Sequence, residues 1–233
     1  MRTEQEFATC QSKCMKMTTT RNFPTRLALW IAAGVVSFTI AAPAWAGDES
    51  TALPPIFNGK DLTGWKMPEP NPFWKVVDGV LVGENDEAKK GSLLWTEKSY
   101  GDFMIECEAR WSSEIDSGIM FRRSKDGRQE LQLQLGISRS LKRDLTGSFY
   151  TGGKEKYPEA GQLKNLEKLF KPDAWNQYRL QTKGDTFTVW LNGVPAVKYV
   201  NTNYAGAGPI GLQIHPGLAM KVEFRNLRAK ALE

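Results

Sequence analysis

The sequence predicts an all-β protein in which two antiparallel sheets pack as a sandwich or jelly roll. Three observations support this fold class. Many short segments are rich in β-branched and aromatic residues, turn-forming residues separate them, and only Gln162–Phe170 has a helical pattern. Strands at this spacing, without intervening helices, are typical of antiparallel sandwiches and jelly rolls.

The N-terminal residues have the pattern of a secretory signal peptide. Arg21 and Arg26 precede the apolar run Leu27–Ile40, and the small-x-small sequence Ala-Trp-Ala occupies residues 44–46. This run of about 14 residues is shorter than a comfortable membrane span. We therefore expect cleavage after residue 46, with an uncleaved N-terminal anchor as the alternative. The mature chain is expected to have no transmembrane helix and to be exported to the periplasm or the extracellular space.

Composition excludes several classes of function. Residues 1–46 hold five of the 31 basic and two of the 26 acidic residues, so the mature chain has 26 against 24. A net charge of +2 gives no indication of nucleic-acid binding. Cys10 and Cys14 lie in the leader, which leaves Cys107 as a buried structural thiol without a disulfide partner. With one histidine in the chain, the usual zinc and haem sites are excluded.

Residues 47–233 are long enough for one domain with a sizeable core. Eight segments read as strands: Phe73–Val82, Phe103–Trp111, Ser117–Arg122, Glu130–Leu135, Gln177–Thr182, Thr186–Leu191, Ile210–Ile214 and Lys221–Leu227. Asp78-Gly79, Lys183-Gly184-Asp185 and Asn192-Gly193 supply tight turns between them. These turns indicate antiparallel neighbours.

One long segment, residues 136–173, interrupts the strand pattern. A segment of this length inside a compact domain is usually functional or disordered. Its aromatic residues, Phe149, Tyr150 and Tyr157, argue against disorder. We expect an ordered loop that covers one face of the sandwich beside a binding cleft.

The stretch Glu130–Leu135 reads Glu-Leu-Gln-Leu-Gln-Leu. Because strand side chains alternate between faces, the three leucines should line the core while Glu130, Gln132 and Gln134 share the other face. A row of one carboxylate and two amides has the hydrogen-bonding groups that bind sugar hydroxyls. The alternative is that these residues form the ordinary solvent-exposed face of an antiparallel sheet.

A series of short sequence motifs, in a fixed order along the chain, carries a family resemblance. They are Phe57-Asn-Gly-Lys-Asp-Leu-Thr-Gly-Trp65, Trp74-Lys-Val-Val-Asp-Gly-Val-Leu, Tyr100-Gly-Asp-Phe103, Ser117-Gly-Ile-Met-Phe-Arg122, Glu130-x-Gln132, Thr146-Gly-Ser-Phe-Tyr150, Trp175-Asn176, Leu191-Asn-Gly193, Gly208-Pro-Ile-Gly-Leu-Gln-Ile-His215 and Phe224-Arg-Asn-Leu-Arg228. Together they resemble the 3-keto-disaccharide hydrolase domain family over nearly the whole mature chain.

The resemblance implies a concanavalin A-like jelly roll, the fold of many lectins and glucanases, with a saccharide bound on a concave face. It also implies cleavage of glycosides whose sugar carries a ketone at C3. Such a ketone acidifies the C2 hydrogen, so that a base can remove it and the C1 substituent can leave by elimination. Addition of water then gives a net hydrolysis.

We expect the base to be His215 or Glu130. His215 follows Gln213 by two residues, so both should project from the same face of one strand; a structural histidine at a strand end is the alternative. Arg122, Gln132 and Gln213 are candidates for positioning the substrate. Arg122 could stabilise an enolate oxygen, or it could instead neutralise Glu130.

Gln134 and Tyr150 complete the expected substrate-binding set, with Tyr150 in the wall of the cleft. Residues 135–137, Leu-Gly-Ile, depart from the family pattern, because many members carry an acidic residue shortly after the Glu-x-Gln pair. This departure favours sugar binding more than it favours catalysis.

Two further hypotheses therefore stand beside the enzyme. One is a non-catalytic carbohydrate-binding module of the same fold, and the other is an envelope interaction protein that uses exposed apolar or aromatic patches. No metal or other cofactor is predicted; a structural calcium ion would have Glu84–Glu87 as its nearest candidate loop, without further support. The expected partner is a saccharide, and the pattern does not define an oligomeric state.

Overall fold

The computed structural model describes residues 53–233, so the predicted signal peptide lies outside the described residues. Described strands are β1 (Trp65–Lys66), β2 (Trp74–Val77), β3 (Val80–Glu84), β4 (Ser92–Tyr100), β5 (Phe103–Arg110), β6 (Asp116–Arg123), β7 (Glu130–Ser138), β8 (Arg143–Asp144), β9 (Phe149–Tyr150), β10 (Asn176–Lys183), β11 (Thr186–Leu191), β12 (Val194–Val200), β13 (Gly208–Ile214) and β14 (Lys221–Ala231). A 3-10 turn occupies Glu159–Gly161, and the helix α1 covers Leu166–Leu169.

The strands form two seven-stranded antiparallel sheets. Sheet I has the order β1-β4-β13-β6-β7-β8, with β9 also paired to β7. Sheet II has the order β12-β11-β10-β5-β14-β3-β2. Strands distant in sequence are thus neighbours in both sheets, and the predicted two-sheet antiparallel sandwich is confirmed. No helix in residues 53–233 is long and apolar enough to cross a membrane.

The predicted turns bring antiparallel strands together. Phe73–Val82 divides at Asp78-Gly79 into β2 and β3, which pair with Val77 opposite Val80. Asn192-Gly193 joins β11 to β12, with Leu191 opposite Val194. The strand pattern did not reveal β4 or β12. β12 contains Pro195 and lies at the edge of sheet II, which is where a strand tolerates proline.

The segment 136–173 contains more regular structure than its sequence pattern suggested. β7 continues to Ser138, and the two-residue strands β8 and β9 both pair with it. The helix predicted over Gln162–Phe170 shortens to α1, Leu166–Leu169. Its first turn is replaced by a tertiary contact, since the Leu163 backbone N–H donates to Ser148 Oγ at 3.0 Å.

The core lies between the inner faces of the two sheets. Leu131, Leu133 and Leu135 of β7 are fully buried there, as the alternation predicted. The ring of Phe121 in β6 packs against Phe187 in β11, with their centroids 6.1 Å apart. Aromatic contacts of this kind join sheet I to sheet II and fix the face of each strand that points inward.

The outer face of sheet II carries what we call the charge ladder. Its members are Glu106, Glu108 and Arg110 of β5, Arg179 of β10, and Glu223 and Arg225 of β14. The ion pairs are Arg110–Glu223, Arg179–Glu106 and Arg225–Glu108. The ring of Trp175 lies under the guanidinium groups of Arg110 and Arg225, at 4.6 and 4.2 Å from its centroid.

Candidate functional site

The polar row of β7 lies on the outer face of sheet I, opposite the leucines. Gln132 and Gln134 are nevertheless buried, with 4% and 0% of their surface exposed. Segment 136–173 covers them, because β9 pairs with β7 and Tyr157 packs over the amides. This polar row is therefore buried under another segment of the chain and is not the ordinary solvent-exposed face of a sheet.

A cavity of about 220 Å³ lies between this row and the covering segment. Its lining residues from the strands are Asp116, Gln132, Gln134, Gln213 and His215, and those from the covering segment are Ser138, Arg139, Ser140, Tyr150, Lys156 and Tyr157. We call this space the sheet I cavity. It brings together five of the seven predicted site residues, namely His215, Gln132, Gln134, Tyr150 and Gln213.

A chain of side-chain hydrogen bonds runs along the cavity floor. Gln134 Oε1 accepts from the Tyr157 hydroxyl and from Gln132 Nε2, both at 2.9 Å. Gln134 Nε2 donates to Asp116 Oδ1 at 2.9 Å, and Gln132 Nε2 also donates to Gln213 Oε1 at 3.2 Å. Burial raises the pKa of Tyr157, so its phenol stays protonated and remains a donor.

Gly118 makes room for the Gln132 amide. Gly118 lies beside Gln134 in the pairing of β6 with β7. A Cβ atom at position 118 would lie 2.4 Å from Gln132 Nε2, which is closer than real contacts allow. The floor of the cavity therefore depends on the absence of a side chain on the neighbouring strand.

The geometry at His215 assigns its tautomer when the ring is neutral. His215 directly follows β13, and its Nδ1 lies 2.8 Å from the carbonyl oxygen of Pro216. A carbonyl oxygen only accepts hydrogen bonds, so Nδ1 must carry the proton and Nε2 must carry the lone pair. Among the described residues, Nε2 has no hydrogen-bond partner. The neutral ring therefore offers an unoccupied basic nitrogen.

Backbone contacts hold His215 in place from two sides. The His215 N–H donates to the Asp116 carbonyl oxygen at 3.3 Å, and Asn85 Nδ2 donates to the His215 carbonyl oxygen at 3.0 Å. Asn85 also bonds to the carbonyl of Lys90 and the N–H of Met220. The loop after β3 is thus joined to the end of β13, where His215 lies.

Arg122 does not lie in the sheet I cavity, contrary to the expectation that it binds substrate. A β-bulge interrupts the β6–β7 register between Phe121 and Arg123, and Arg122 has a positive φ of 50°. The bulge turns the side chain away, so that it is 3% exposed and bonds Asp102 Oδ1 at 2.6 Å and the Ala205 carbonyl oxygen at 2.6 Å. These contacts join Arg122 to other parts of the fold, away from the cavity.

Glu130 also lies outside the group of residues that line the cavity. Its carboxylate forms an ion pair with Arg123, the residue opposite it on β6, with an Nε–Oε1 distance of 3.6 Å. Glu130 belongs to β7 and precedes Gln132 by two residues. Gln132 and Gln134 lie under the covering segment, and Glu130 lies beyond its edge. Of the two residues expected as the base, His215 lines the cavity and Glu130 does not.

Asp116 is the residue that the sequence pattern missed. It is 6% exposed and lines the cavity, where its Oδ2 accepts the Arg139 backbone N–H at 3.1 Å. Its Cα lies opposite Gly136 in the β6–β7 register. A Cβ atom at position 136 would lie 2.2 Å from the Ile115 carbonyl oxygen, so position 136 of β7 has no room for a side chain. At this point of the sheet the carboxylate is therefore that of Asp116 on β6. The signal in the sequence was weak, because Asp116 lies two residues before Gly118 but just outside the predicted strand Ser117–Arg122.

The candidate calcium loop makes protein contacts instead of forming a cluster of carboxylates. Glu84 pairs with Lys75, and Asp86 Oδ1 accepts the Lys90 N–H at 2.7 Å. Within residues 53–233 there is no group of three or more His, Cys, Asp and Glu side chains placed to hold a metal ion.

Comparison with known proteins places this geometry in a family. The family model for the 3-keto-alpha-glucoside-1,2-lyase-like domain matches residues 53–230. No curated protein sequence matches the chain.

Solved structures share the fold. One from Parabacteroides distasonis ATCC 8503, of a protein proposed to be a glycosyl hydrolase, is 24% identical and aligns over 76% of this chain and 93% of its own, with a TM-score of 0.55. A second from the same organism is 19% identical over 78% and 100% of the two chains, with a TM-score of 0.58. The carbohydrate-binding module CBM66 of Bacillus subtilis is 15% identical over 72% and 96%, with a TM-score of 0.54. At these identities the structures support the fold alone.

Proposed function

Because the chain belongs to the 3-keto-alpha-glucoside-1,2-lyase-like domain family, we propose that it cleaves 3-keto-glycosides in the sheet I cavity. The observation that carries this proposal is the state of His215. Its Nδ1 lies 2.8 Å from the Pro216 carbonyl oxygen, its Nε2 has no hydrogen-bond partner among the described residues, and His215 lines a cavity together with glutamine and tyrosine side chains. An imidazole in this state is a general base near neutral pH.

In the proposed reaction, His215 Nε2 removes the proton from C2 of the 3-keto sugar. The C2–H electron pair moves toward the C3 carbonyl and gives an enolate. Those electrons then form the C1–C2 double bond, the C1–O bond breaks, and the leaving oxygen takes that electron pair and a proton. Water adds to C1 while a proton returns to C2, which completes a net hydrolysis.

Two hydrogen-bond donors in the cavity are suited to the enolate oxygen. Among the described residues, the Gln213 amide nitrogen and the Tyr150 hydroxyl have no hydrogen-bond partner, and both residues line the cavity. Donors that are fixed before the reaction stabilise developing negative charge at low reorganisation cost. The floor network holds Gln213 in place through its Oε1.

The test is to incubate the purified protein with a 3-keto-disaccharide and with its unoxidised parent, and to follow sugar release by chromatography. We expect release from the keto substrate alone. We expect His215→Gln to lower kcat by about 10²- to 10⁴-fold, the usual contribution of a general base. Glu130→Gln should change kcat little, because Glu130 pairs with Arg123 outside the cavity. Unaltered cleavage by His215→Gln would refute the assignment of the base.

The second candidate function is saccharide binding without cleavage. The observation in its favour is that the floor network bonds Gln132, Gln134 and Asp116 to one another and still leaves open donors at the cavity wall. Such an arrangement binds hydroxyls without any chemical step. Sugar binding by calorimetry, together with no release from either disaccharide, would assign the protein to this class.

We further propose that the domain acts after export, with residues 1–46 as its signal peptide. The support is the charged, apolar and small-x-small pattern of these residues. N-terminal sequencing of the protein recovered from its native compartment should begin at Gly47.

A further inference from the structure

We propose that the sheet I cavity selects a saccharide that carries an anionic group, with a C6 carboxylate as the simplest case. This inference rests on the proposed function, because it names the substrate class of the same site. It follows from the charges around the cavity and from its open donors and acceptors, by which we mean hydrogen-bonding atoms that have no partner among the described residues.

The charges that line the cavity are predominantly positive. Arg139 and Lys156 contribute two cations, and Asp116 contributes the single carboxylate. Both oxygens of Asp116 are already occupied, one by the Gln134 amide and the other by the Arg139 backbone N–H. Asp116 is buried, whereas Arg139 and Lys156 are exposed. A ligand entering from solvent therefore meets the two cations before the carboxylate.

Neither cation is neutralised by an acidic partner among the described residues. Along the chain the acidic residues nearest to Lys156 are Glu155 and Glu159, and Glu159 pairs with Lys164. The acidic residue nearest to Arg139 is Asp144, whose carboxylate accepts hydrogen bonds from Thr146. The Arg139 guanidinium makes a single hydrogen bond, from Nη1 to the Pro216 carbonyl oxygen at 2.8 Å. Its other N–H groups are open. The same Pro216 carbonyl oxygen lies 2.8 Å from His215 Nδ1, so Arg139 is held beside the proposed base.

The loop that carries Lys156 is held in a fixed conformation. The Thr151 N–H donates to the Lys156 carbonyl oxygen at 2.9 Å, and Thr151 Oγ1 donates to the Glu155 carbonyl oxygen at 2.8 Å. Next to Lys156, Tyr157 is fixed by its bond to Gln134. The backbone that carries Lys156 is therefore fixed at the cavity wall, and its ammonium group moves within reach of that wall on a flexible side chain.

Open donors outnumber open acceptors in the cavity. The open groups that only donate are the Gln213 amide nitrogen, the Lys156 ammonium and the remaining Arg139 N–H groups, whereas the open groups that only accept are Gln132 Oε1 and the His215 Nε2 lone pair. The hydroxyls of Tyr150, Ser138 and Ser140 can do either. A neutral sugar hydroxyl both donates and accepts, but a carboxylate only accepts. Charge-assisted bonds to a carboxylate are also the stronger ones. This surplus of donors fits an anionic saccharide better than a neutral one.

The test compares two probes that differ only at C6. Purified full-chain protein is titrated with D-glucose and with D-glucuronate, and binding is followed by NMR at low and at physiological salt. We expect glucuronate to bind about fivefold more tightly than glucose at low salt, with a smaller difference at higher ionic strength. Lys156→Met and Arg139→Gln should each reduce this preference to less than about twofold. Lys154→Met is the matched control, since Lys154 lies two residues away and does not line the cavity.

The outcomes separate this inference from the proposed function. Equal binding of the two probes, or a preference that persists in both cavity variants, would overturn the inference. Binding of acetate as tight as that of glucuronate would overturn it as well, because the site would then recognise an anion and not a sugar. If neutral 3-keto-disaccharide is cleaved while the preference is absent, the proposed function stands alone. If nothing is cleaved and neither sugar binds, both fail.

Discussion

The two outer faces of the sandwich carry similar numbers of polar side chains but use them differently. On sheet II, every member of the charge ladder has a partner of opposite charge, and Trp175 fills the space between two of the guanidinium groups. On sheet I, a covering segment buries the polar row, and its amides bond to one another and leave atoms open at a cavity. Polar residues on the outer face of a strand thus indicate a binding site when another segment buries them and some of their hydrogen-bonding atoms have no partner in the protein.

Replacement of Gln134 should show the largest difference in stability between the two faces. Gln134→Leu removes the partner of Tyr157 and of Asp116 in a fully buried position. We expect the free energy of unfolding to fall by about 2–3 kcal/mol, because two buried polar groups lose their hydrogen bonds. Urea denaturation followed by circular dichroism measures this.

The matched control is Gln177→Leu on sheet II. Gln177 makes one bond, at 3.3 Å, to Glu108 of the charge ladder and is partly exposed. We expect a change below about 0.5 kcal/mol there. Equal losses at the two positions would contradict the view that the covered face is the more constrained one.

Replacement of Gly118 should disturb the cavity with less effect on the fold. Gly118→Ala places a Cβ atom at 2.4 Å from Gln132 Nε2 and displaces this amide from the floor. We expect kcat/KM for the keto substrate, or sugar affinity if there is no cleavage, to fall about ten- to hundredfold. Gly101→Ala serves as the control, since nothing lies within 4 Å of a Cβ there. Normal activity in Gly118→Ala would show that the Gln132 position is unimportant.

The charge ladder should contribute a small stabilisation that depends on pH. Burial raises the pKa of Glu223, but Arg110 and Lys221 more than offset this and hold it below its usual value. A carboxylate with a lowered pKa stabilises the fold above the unfolded-state pKa, and this contribution is lost as the pH falls through the folded-state pKa.

We therefore expect Glu223→Gln to cost less than about 1 kcal/mol at pH 7 and progressively less as the pH falls toward about 3. Unfolding by urea across this range, at low and high salt, measures the difference. A cost independent of pH would show that packing, and not charge, explains the role of Glu223.

The smallest effect is expected at Cys107, which lies on β5 between Glu106 and Glu108 but faces the core. Burial raises the pKa of the Cys107 thiol to about 12. Thiolate would then be about one part in 10⁴ at pH 8, so we expect essentially no reaction with a thiol reagent in the folded state. The measurement uses a variant with Cys10 and Cys14 replaced by serine, with the urea-unfolded protein as the reactive control. Rapid labelling of the folded protein would mean that the face of β5 that carries Cys107 is exposed to solvent and does not face the core.

The sequence predicted the fold well because alternation and turn chemistry are local signals. Leu131, Leu133 and Leu135 could be assigned to the core from their spacing alone, and the predicted turns join antiparallel neighbours. β12 was missed because its Pro195 argues against a strand unless the strand lies at a sheet edge, and which strand lies at an edge is a property of the whole topology.

The site was predicted in part, and the misses have physical causes. Gln132, Gln134 and Gln213 share a face by simple alternation, and the structure brings them together with His215. Simple alternation along β6 predicted that Arg122 would point toward the same face, but a β-bulge turns its side chain away from the sheet I cavity. Asp116 was missed because its importance comes from the strand register, which joins residues that are far apart in the sequence.

The placement of Asp116 opposite Gly136 has a consequence for how relatives of this protein should be compared. The family resemblance leads us to expect an acidic residue shortly after the Glu-x-Gln pair, and residues 135–137 are Leu-Gly-Ile. In the folded sheet a carboxylate is supplied at that level by the adjacent strand, and the backbone at Gly136 leaves no room for a second one. A comparison of this site with that of a relative should therefore match positions in the folded sheet as well as positions in the sequence.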